Sequence, residues 1–123
     1  MAHIWLISGA LLGGAAVCLG AFGAHALSDI LDDYSRGIYE KAVFYHFIHA
    51  LALLVVGILQ QQFSHQLNIS GISFLLGILL FSGSLYLLAI TGMRWLGAVT
   101  PIGGLLFIIG WIWIAYQSMQ IAQ

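Results

Sequence analysis

The chain has 123 residues, of which 62% are hydrophobic and only 6% are charged, and its mean hydropathy is +1.05. Its three basic residues cannot supply the basic stripe that a phosphate-gripping domain needs, so the composition excludes a nucleic-acid-binding protein. A composition this apolar indicates an integral membrane protein instead.

Four apolar runs follow one another along the chain, each long enough to cross the hydrocarbon core of a bilayer. A crossing helix needs about 20 residues at a rise of 1.5 Å per residue. The runs cover residues 4–27, 42–59, 69–91 and 100–116. We therefore expect an all-α membrane protein, with residues 1–123 forming a single transmembrane domain of four helices in a compact bundle.

The gap between the first two runs, residues 28–41, holds six of the chain's seven charged residues. Ser28 followed by Asp29 is typical of a helix N-cap with an acidic residue in the first turn. The gap is therefore predicted to carry a short amphipathic segment at the membrane interface, between helices 1 and 2. Its apolar side is expected to consist of Tyr34, Ile38 and Tyr39.

The other two gaps indicate the orientation of the chain. Residues 60–68 contain no Lys or Arg, whereas residues 92–99 contain Arg94. All basic residues thus lie in the first and third gaps, which the positive-inside rule assigns to the cytoplasmic side. Both termini are then expected on the non-cytoplasmic side of a cell inner membrane. Near that outer end, an interfacial aromatic belt is expected from Trp5, Trp111, Trp113 and Tyr116.

Small residues recur at three- and four-residue spacing in several of the spans. In lipid, helices associate through close packing of small residues and a few interhelical hydrogen bonds. The glycines expected to serve helix packing are Gly9, Gly13, Gly20, Gly83, Gly103 and Gly104. The alternative is that part of the small-residue stripe in the first span forms a homodimer face.

The spans carry no Asp, Glu, Lys or Arg well inside the membrane. This excludes a proton-coupled antiporter that uses a mid-membrane carboxylate, and it excludes an ion filter built from charged rings. His49, about 10 Å in from Ala42 by helical rise, is the deepest titratable group. A polar cluster on the cytoplasmic side is geometrically feasible, and its candidate members are His25, Tyr45, His49, Thr91 and Thr100.

Three interpretations of this cluster remain open. The side chains could hydrogen-bond between helices, or His25 and His49 could form a site for protons or a small molecule. A metal or haem site is the third, but no cysteine or carboxylate joins the histidines in the spans. Ser82 and Ser84 are better explained by helix packing than by hydrolase chemistry. We therefore predict no catalytic residue, no metal site and no cofactor.

Four sequence blocks carry a resemblance to a known family. They are Gly20–Leu27, His49–Leu54, Leu80–Ala89 with Thr91-Gly92, and Thr100–Gly104. In this order they resemble the YgdD/YwdK family of small inner-membrane proteins, the domain of unknown function 423, to which the mitochondrial transmembrane protein 256 is similar. The resemblance implies a four-helix integral membrane protein and no established activity.

Carried over by position, the resemblance places the family's histidines on His25 and His49 and its tyrosine on Tyr45. His46 departs from the family pattern, which has Gln there, and this departure disfavours a metal site formed jointly by His46 and His49.

Two functional classes follow from these patterns. The first is a non-catalytic membrane component, meaning an accessory or assembly partner of a larger complex or a lipid-associated structural protein, and not an enzyme. The second is a small transporter or permease of a neutral or weakly polar solute that uses the cytoplasmic-side His/Tyr/Thr cluster. The expected partners are membrane lipids, and a homo-oligomer and a larger membrane complex are both left open.

Overall fold

The computed structural model describes residues 1–63 and 66–123. Within these ranges the chain forms four long helices that are apolar enough to cross a membrane. A 3₁₀ turn, Arg94–Ala98, ends one residue before the last of them. The helices are α1 (Ala2–His25), α2 (Asp33–Phe63), α3 (Asn68–Thr91) and α4 (Thr100–Ile121). The predicted all-α fold with four packed membrane helices is confirmed.

The link from α1 to α2 consists of turns, and the N-cap expected at Ser28 is wrong. The Ser28 hydroxyl instead donates to the carbonyl of His25 at 3.1 Å, which satisfies an acceptor at the end of α1. Asp32 caps α2, because its carboxylate accepts the Ser35 N–H at 2.7 Å and its carbonyl accepts the Arg36 N–H at 2.9 Å. The Ser35 hydrogen bond also holds the pKa of the Asp32 carboxyl below its ordinary value.

The link is amphipathic, but its apolar side differs from the expected one. Leu27 and Leu31 are buried together with Tyr39, and Ile38 packs against them. Tyr34 is 74% exposed and takes no part in this cluster. Turn residues that no helical pattern could identify therefore close this end of the α1–α2 pair.

Helix α2 lies at the centre of the bundle. It packs along α1 on one side and along α3 on the other, and α3 packs against α4. The middle of the core contains Leu53, Val56 and Phe74, none of which has exposed surface. Helices α1 and α4 bury a smaller share of their residues than α2 and α3, so their outer sides face the surroundings of the bundle.

Close helix contact occurs at several of the glycines that were expected to pack. A Cβ on Gly9 would lie 2.9 Å from the carbonyl oxygen of Ala50, and one on Gly103 would collide with the backbone of Phe81. Gly20 is tight against Val43 at 3.3 Å. These glycines allow α1 to approach α2, and α4 to approach α3, at backbone distance.

The other expected glycines are less constrained. The nearest atoms to an added Cβ lie at 3.9 Å for Gly13 and 3.7 Å for Gly104, and Gly83 has no atom within 4 Å. Within the described residues, a side chain at Gly83 would therefore meet open space. Other glycines also lie against large side chains of neighbouring helices, namely Gly23, Gly57, Gly71, Gly77 and Gly110.

Of the residues expected in an interfacial belt, Trp5 lies inside the protein instead, whereas Trp111 keeps 45% of its surface exposed. Trp5 is 2% exposed and its indole N–H donates to Asn68 Oδ1 at 3.1 Å. Trp111 donates to His49. Trp113, in contrast, donates to the Gln66 carbonyl at 2.7 Å near the start of α3. The Asn68 acceptor at the start of α3 draws the Trp5 ring inward, because a buried indole N–H needs an acceptor.

A single π-helical turn, Ile78–Ser82, interrupts α3. It lies where α3 contacts both α2 and α4: the Ser82 hydroxyl donates to the Ala42 carbonyl at 2.8 Å, and Phe81 packs against Gly103. Such turns widen a helix locally and re-aim its side chains. Here the turn directs Phe81 toward the aromatic cluster described next.

Candidate functional site

His49 is a buried histidine whose two ring nitrogens both have hydrogen-bond partners. It is 4% exposed. Its Nδ1 lies 2.7 Å from the backbone carbonyl oxygen of Tyr45, and its Nε2 lies 3.0 Å from the indole nitrogen of Trp111. A carbonyl can only accept a hydrogen bond and an indole can only donate one. These partners therefore fit a neutral imidazole that carries its proton on Nδ1 and accepts at Nε2.

Aromatic rings from three helices surround this imidazole. The Phe107 ring of α4 stacks on it face to face, with ring centroids 3.5 Å apart and planes inclined by 6°. Phe74 of α3 approaches at 5.5 Å, and Tyr45 of α2 lies 4.6 Å from Phe81. His49 is thus held by contacts with α3 and α4 as well as by its own helix.

A groove of about 580 Å³ lies beside His49 between α2, α3 and α4. It is lined by Tyr45, His49, Phe81, Pro101, Gly104, Leu105, Phe107, Ile108 and Trp111. The lining is almost wholly apolar, and both nitrogens of His49 are already engaged. The groove is therefore suited to an apolar group such as an acyl chain and offers no free imidazole nitrogen.

A second polar group joins α2 to α3. His46 is buried, its Nδ1 lies 2.9 Å from the Tyr86 hydroxyl, and its Nε2 has no hydrogen-bond partner among residues 1–63 and 66–123. Tyr86 meets Tyr39 edge to face at 5.3 Å, and the Tyr39 hydroxyl donates to the carbonyl of Leu19. These contacts connect α3, α2 and α1 through side chains.

The five expected cluster residues are not brought together. Tyr45 and His49 are neighbours on α2, but His25 lies exposed at the end of α1. Thr91 donates to the carbonyl of Leu87 at 2.5 Å within its own helix. Thr100 lies 2.6 Å from the hydroxyl of Ser84 and helps to join α4 to α3.

Helical geometry explains why His25 lies apart from His49. Gly23 is packed against Tyr39, which fixes the level of the α1 end relative to α2. Tyr39 precedes His49 by ten residues, or roughly 15 Å along the helix axis. His25 therefore lies level with the Tyr39 end of this stretch of α2, near the charged link, and His49 lies at the other end.

Sequence reasoning did not single out Tyr86, Trp111 and Asn68 as members of the polar contacts. Tyr86 lies within Leu80–Ala89, one of the four blocks that resemble the family, and this position is a usable signal of importance. The position of Trp111 near the end of its span predicts an interfacial ring instead. Two buried serines also link neighbouring helices. Ser70 donates to the Gly110 carbonyl at 2.8 Å, and Ser82 donates to the Ala42 carbonyl. Among the described residues, no group of three or more His, Cys, Asp or Glu side chains is placed to hold a metal ion.

Comparison with known proteins identifies the relatives of the chain. A family model described as "Protein of unknown function (DUF423)" matches residues 19–104, which include all five expected cluster residues. The chain is 48% identical over 119 residues to a UPF0382 membrane protein of Staphylococcus epidermidis, covering 97% of this chain and 98% of that protein.

A UPF0382 membrane protein of Staphylococcus haemolyticus is 47% identical over 95% of this chain and 96% of its own length. The UPF0382 membrane protein YwdK of Bacillus subtilis is 42% identical over 95% of this chain and 97% of its own length. No solved structure matches the chain. The resemblance inferred from the four sequence blocks is confirmed by the family match and these relatives.

Proposed function

The chain belongs to the DUF423 family of membrane proteins, and from this premise we propose that it is a non-catalytic membrane component, acting as an accessory or assembly partner of a larger membrane complex. The observation that supports this most directly is the state of His49. Both of its nitrogens are engaged by fixed partners on α2 and α4, in an arrangement that suits a structural role.

Other polar groups in the spans also join one helix to another. Ser70 and Ser82 donate to backbone carbonyls of neighbouring helices, and His46 pairs with Tyr86. A solute or proton pathway needs polar groups that exchange partners as the cargo passes. Groups that already bind one helix to the next stabilise the bundle instead.

The outer sides of α1 and α4 supply the surface on which an assembly partner would pack. Their middle turns are apolar, and the exposed large side chains include Ile4, Ile7, Leu11, Val17, Ile102, Leu105, Ile108 and Ile112. In a bilayer this surface contacts lipid or the helices of another membrane protein.

Native mass spectrometry of the protein, extracted from its own membranes in mild detergent, tests the proposal. A stoichiometric second protein retained on the 13.3 kDa chain is the expected result. A bare chain or a homo-oligomer, found under conditions that preserve a known membrane complex from the same extract, would contradict the accessory role.

A second candidate is a small transporter or permease of a neutral or weakly polar solute, for which the groove of about 580 Å³ beside Tyr45 and His49 would supply the space. Replacing His49 with Ala separates the two functions. Loss of solute flux or of its pH response in a variant that remains folded would support the transporter. A variant that unfolds, or that keeps full activity, would support the structural role.

We also propose that the protein resides in the cytoplasmic (inner) membrane with both termini on the non-cytoplasmic side. The support is the distribution of basic residues: Arg36, Lys41 and Arg94 all lie at the end of the bundle opposite the termini. Basic residues near membrane helices are retained on the cytoplasmic side.

A further inference from the structure

A groove of about 800 Å³ runs between the last turns of α1 and the first turns of α2. Its lining divides into a polar end and an apolar end. The polar end consists of Ser28, Asp29, Arg36 and Glu40, and the apolar end of Gly20, Gly23, Ala24, Val43, Phe44, Phe47 and Ile48. Buried Leu31 and Tyr39 also line it. The volume falls within the range of small-molecule sites in proteins.

One face of α2 carries the change from charged to apolar. Arg36, Glu40, Phe44 and Ile48 follow one another at four-residue spacing and therefore lie on the same side of the helix. They span roughly 18 Å along the axis, with the two charged residues at the membrane-interface end. A phospholipid has the same order of groups, a charged headgroup followed by acyl chains.

Small residues on α1 keep the groove open on its other side. Gly20 and Gly23 approach α2 closely, at Val43 and Tyr39 respectively, so neither position could carry a side chain that fills the groove. On the α2 side, Phe44 is 61% exposed. The apolar half of the groove is thus open toward the surroundings of the bundle, where acyl chains are found.

The polar end combines one cation with two anions. The Arg36 guanidinium donates one hydrogen bond to the Ser28 carbonyl at 2.5 Å and lies 4.0 Å from an oxygen of Asp33. Arginine has five donors in a planar fork that matches phosphate oxygens, so donors remain for a further anion. Among the described residues, neither Asp29 nor Glu40 has a basic group within 4.0 Å.

This charge pattern selects among headgroups. Two exposed carboxylates beside one guanidinium disfavour a headgroup that carries only negative charge. They suit a headgroup in which a phosphate is joined to a primary ammonium, because the phosphate can pair with Arg36 while the ammonium donates to Glu40 and Asp29. We propose that this groove binds one phospholipid with a primary-amine headgroup, in the leaflet opposite the chain termini. The inference goes beyond the accessory role and does not depend on a protein partner being found.

Native mass spectrometry of the purified full chain, titrated with single lipids of matched acyl chains, tests the inference. The probes are phosphatidylethanolamine, phosphatidylcholine and phosphatidylglycerol. Phosphatidylcholine is the matched control, because its trimethylammonium group has no N–H to donate. We expect one phosphatidylethanolamine per chain, bound roughly tenfold more tightly than phosphatidylcholine, as charge-assisted hydrogen bonds would give.

Substitutions locate the site. Glu40→Gln keeps the size of an exposed side chain and is expected to reduce the preference for phosphatidylethanolamine over phosphatidylcholine to about twofold or less. Arg36→Gln is expected to weaken both lipids together, because both carry the phosphate. Lys41→Gln is the control. Lys41 is next to Glu40 in the sequence but does not line the groove, so removing its charge should leave the affinities for both lipids unchanged.

Each contrary result overturns the inference. Equal binding of phosphatidylethanolamine and phosphatidylcholine would show that the ammonium is not recognised, and tighter binding of phosphatidylglycerol would reverse the proposed charge complementarity. A preference that survives Glu40→Gln and Asp29→Asn together would place the lipid elsewhere on the chain. In the extraction from native membranes, by contrast, a chain that retains this lipid but no second protein would contradict the accessory role alone and leave this site intact.

Discussion

His49 is held by directed hydrogen bonds that specify one protonation state, and this makes its contribution measurable. Its Nε2 accepts from Trp111, a residue 62 positions away on α4, so the bond joins two helices directly. Protonating Nε2 would place an N–H against the indole N–H and abolish the bond. The imidazole therefore acts as a neutral link between helices.

A double-mutant cycle between His49 and Trp111 tests this link. His49→Phe keeps a flat ring for the stack on Phe107 but loses both hydrogen bonds, and Trp111→Phe removes the donor. We expect each variant to unfold more readily and the pair to show a coupling free energy of about 0.6 to 1.7 kcal/mol, as for interhelical hydrogen bonds in membranes. Unfolding would be followed in mixed detergent micelles.

Trp113→Phe supplies the matched control for this cycle. Its indole donates to the Gln66 carbonyl instead of to His49, so its effect should add to that of His49→Phe without coupling. Coupling of similar size in both cycles would show that the tryptophans act on His49 only through general packing.

Asp32 provides a pH-dependent contact outside the membrane spans. The Ser35 N–H lowers the pKa of the Asp32 carboxyl in the folded protein, so the ionised cap stabilises α2 at pH values above the unfolded-state pKa. That stabilisation is lost as the pH falls through the lowered folded-state pKa. We expect amide hydrogen exchange in the first turn of α2 to accelerate over this acidic range.

Substitutions at Asp32 separate the cap from its charge. Asp32→Asn retains a capping acceptor, so it should keep the first turn protected but remove the acidic transition. Asp32→Ala should expose the turn to exchange at every pH. An acidic transition that persists unchanged in Asp32→Asn would assign it to another carboxyl group.

At the scale of helices, the sequence predicted membrane helices well because length and apolar content are local properties. The predicted glycine contacts are found at Gly9 and Gly103, which face backbone atoms of a neighbouring helix, and at Gly20, which faces the Val43 side chain. At Gly83, an added Cβ would meet only open space among the described residues. Spacing identifies which residues share a face, but it does not identify the neighbour toward which that face points.

For the same reason, the sequence could not predict the π-helical turn in α3 or the inward position of Trp5. The turn lies where Ser82 reaches a carbonyl of α2 and Phe81 meets α4, and Trp5 turns inward because Asn68 offers an acceptor. Each cause is a partner far away in the sequence. The dispersal of the expected polar cluster has the same origin, since only Tyr45 and His49 share one helix.

The closeness of α1 and α2 yields a stability prediction at Gly9. A methyl group there would lie 2.9 Å from the Ala50 oxygen and the Leu54 nitrogen, both backbone atoms that cannot move aside singly. We expect Gly9→Ala to lower the free energy of unfolding by about 1–3 kcal/mol through overpacking. Thermal unfolding in detergent would measure the change.

Gly14 is the matched control on the same helix. No atom lies within 4 Å of an added Cβ at this position, so Gly14→Ala should change the free energy of unfolding by no more than about 0.5 kcal/mol. If Gly9→Ala and Gly14→Ala changed the free energy of unfolding equally, α1 and α2 would not be in backbone contact at Gly9.

For the whole molecule, the two ends of the bundle differ in charge and in the kind of contact that closes them. The end with the termini is closed by neutral contacts, in which Asn68 accepts from both Trp5 and Gln60. The other end carries the basic residues, the Asp32 cap and the amphipathic groove. This asymmetry supports one preferred orientation in the membrane and assigns the proposed lipid site to the leaflet at the charged end.

Cysteine labelling tests the orientation. Starting from a Cys18→Ala chain, Gln123→Cys places a single thiol at the terminal end and Gly97→Cys places one in the exposed turn at the charged end. Because basic residues are retained in the cytoplasm, a membrane-impermeant maleimide should label Gln123→Cys in spheroplasts and Gly97→Cys only after lysis. The Cys18→Ala chain without a new cysteine measures background labelling. The reverse pattern would place the termini in the cytoplasm and move the proposed lipid site to the outer leaflet, while equal labelling of both thiols before lysis would indicate a chain inserted in two orientations.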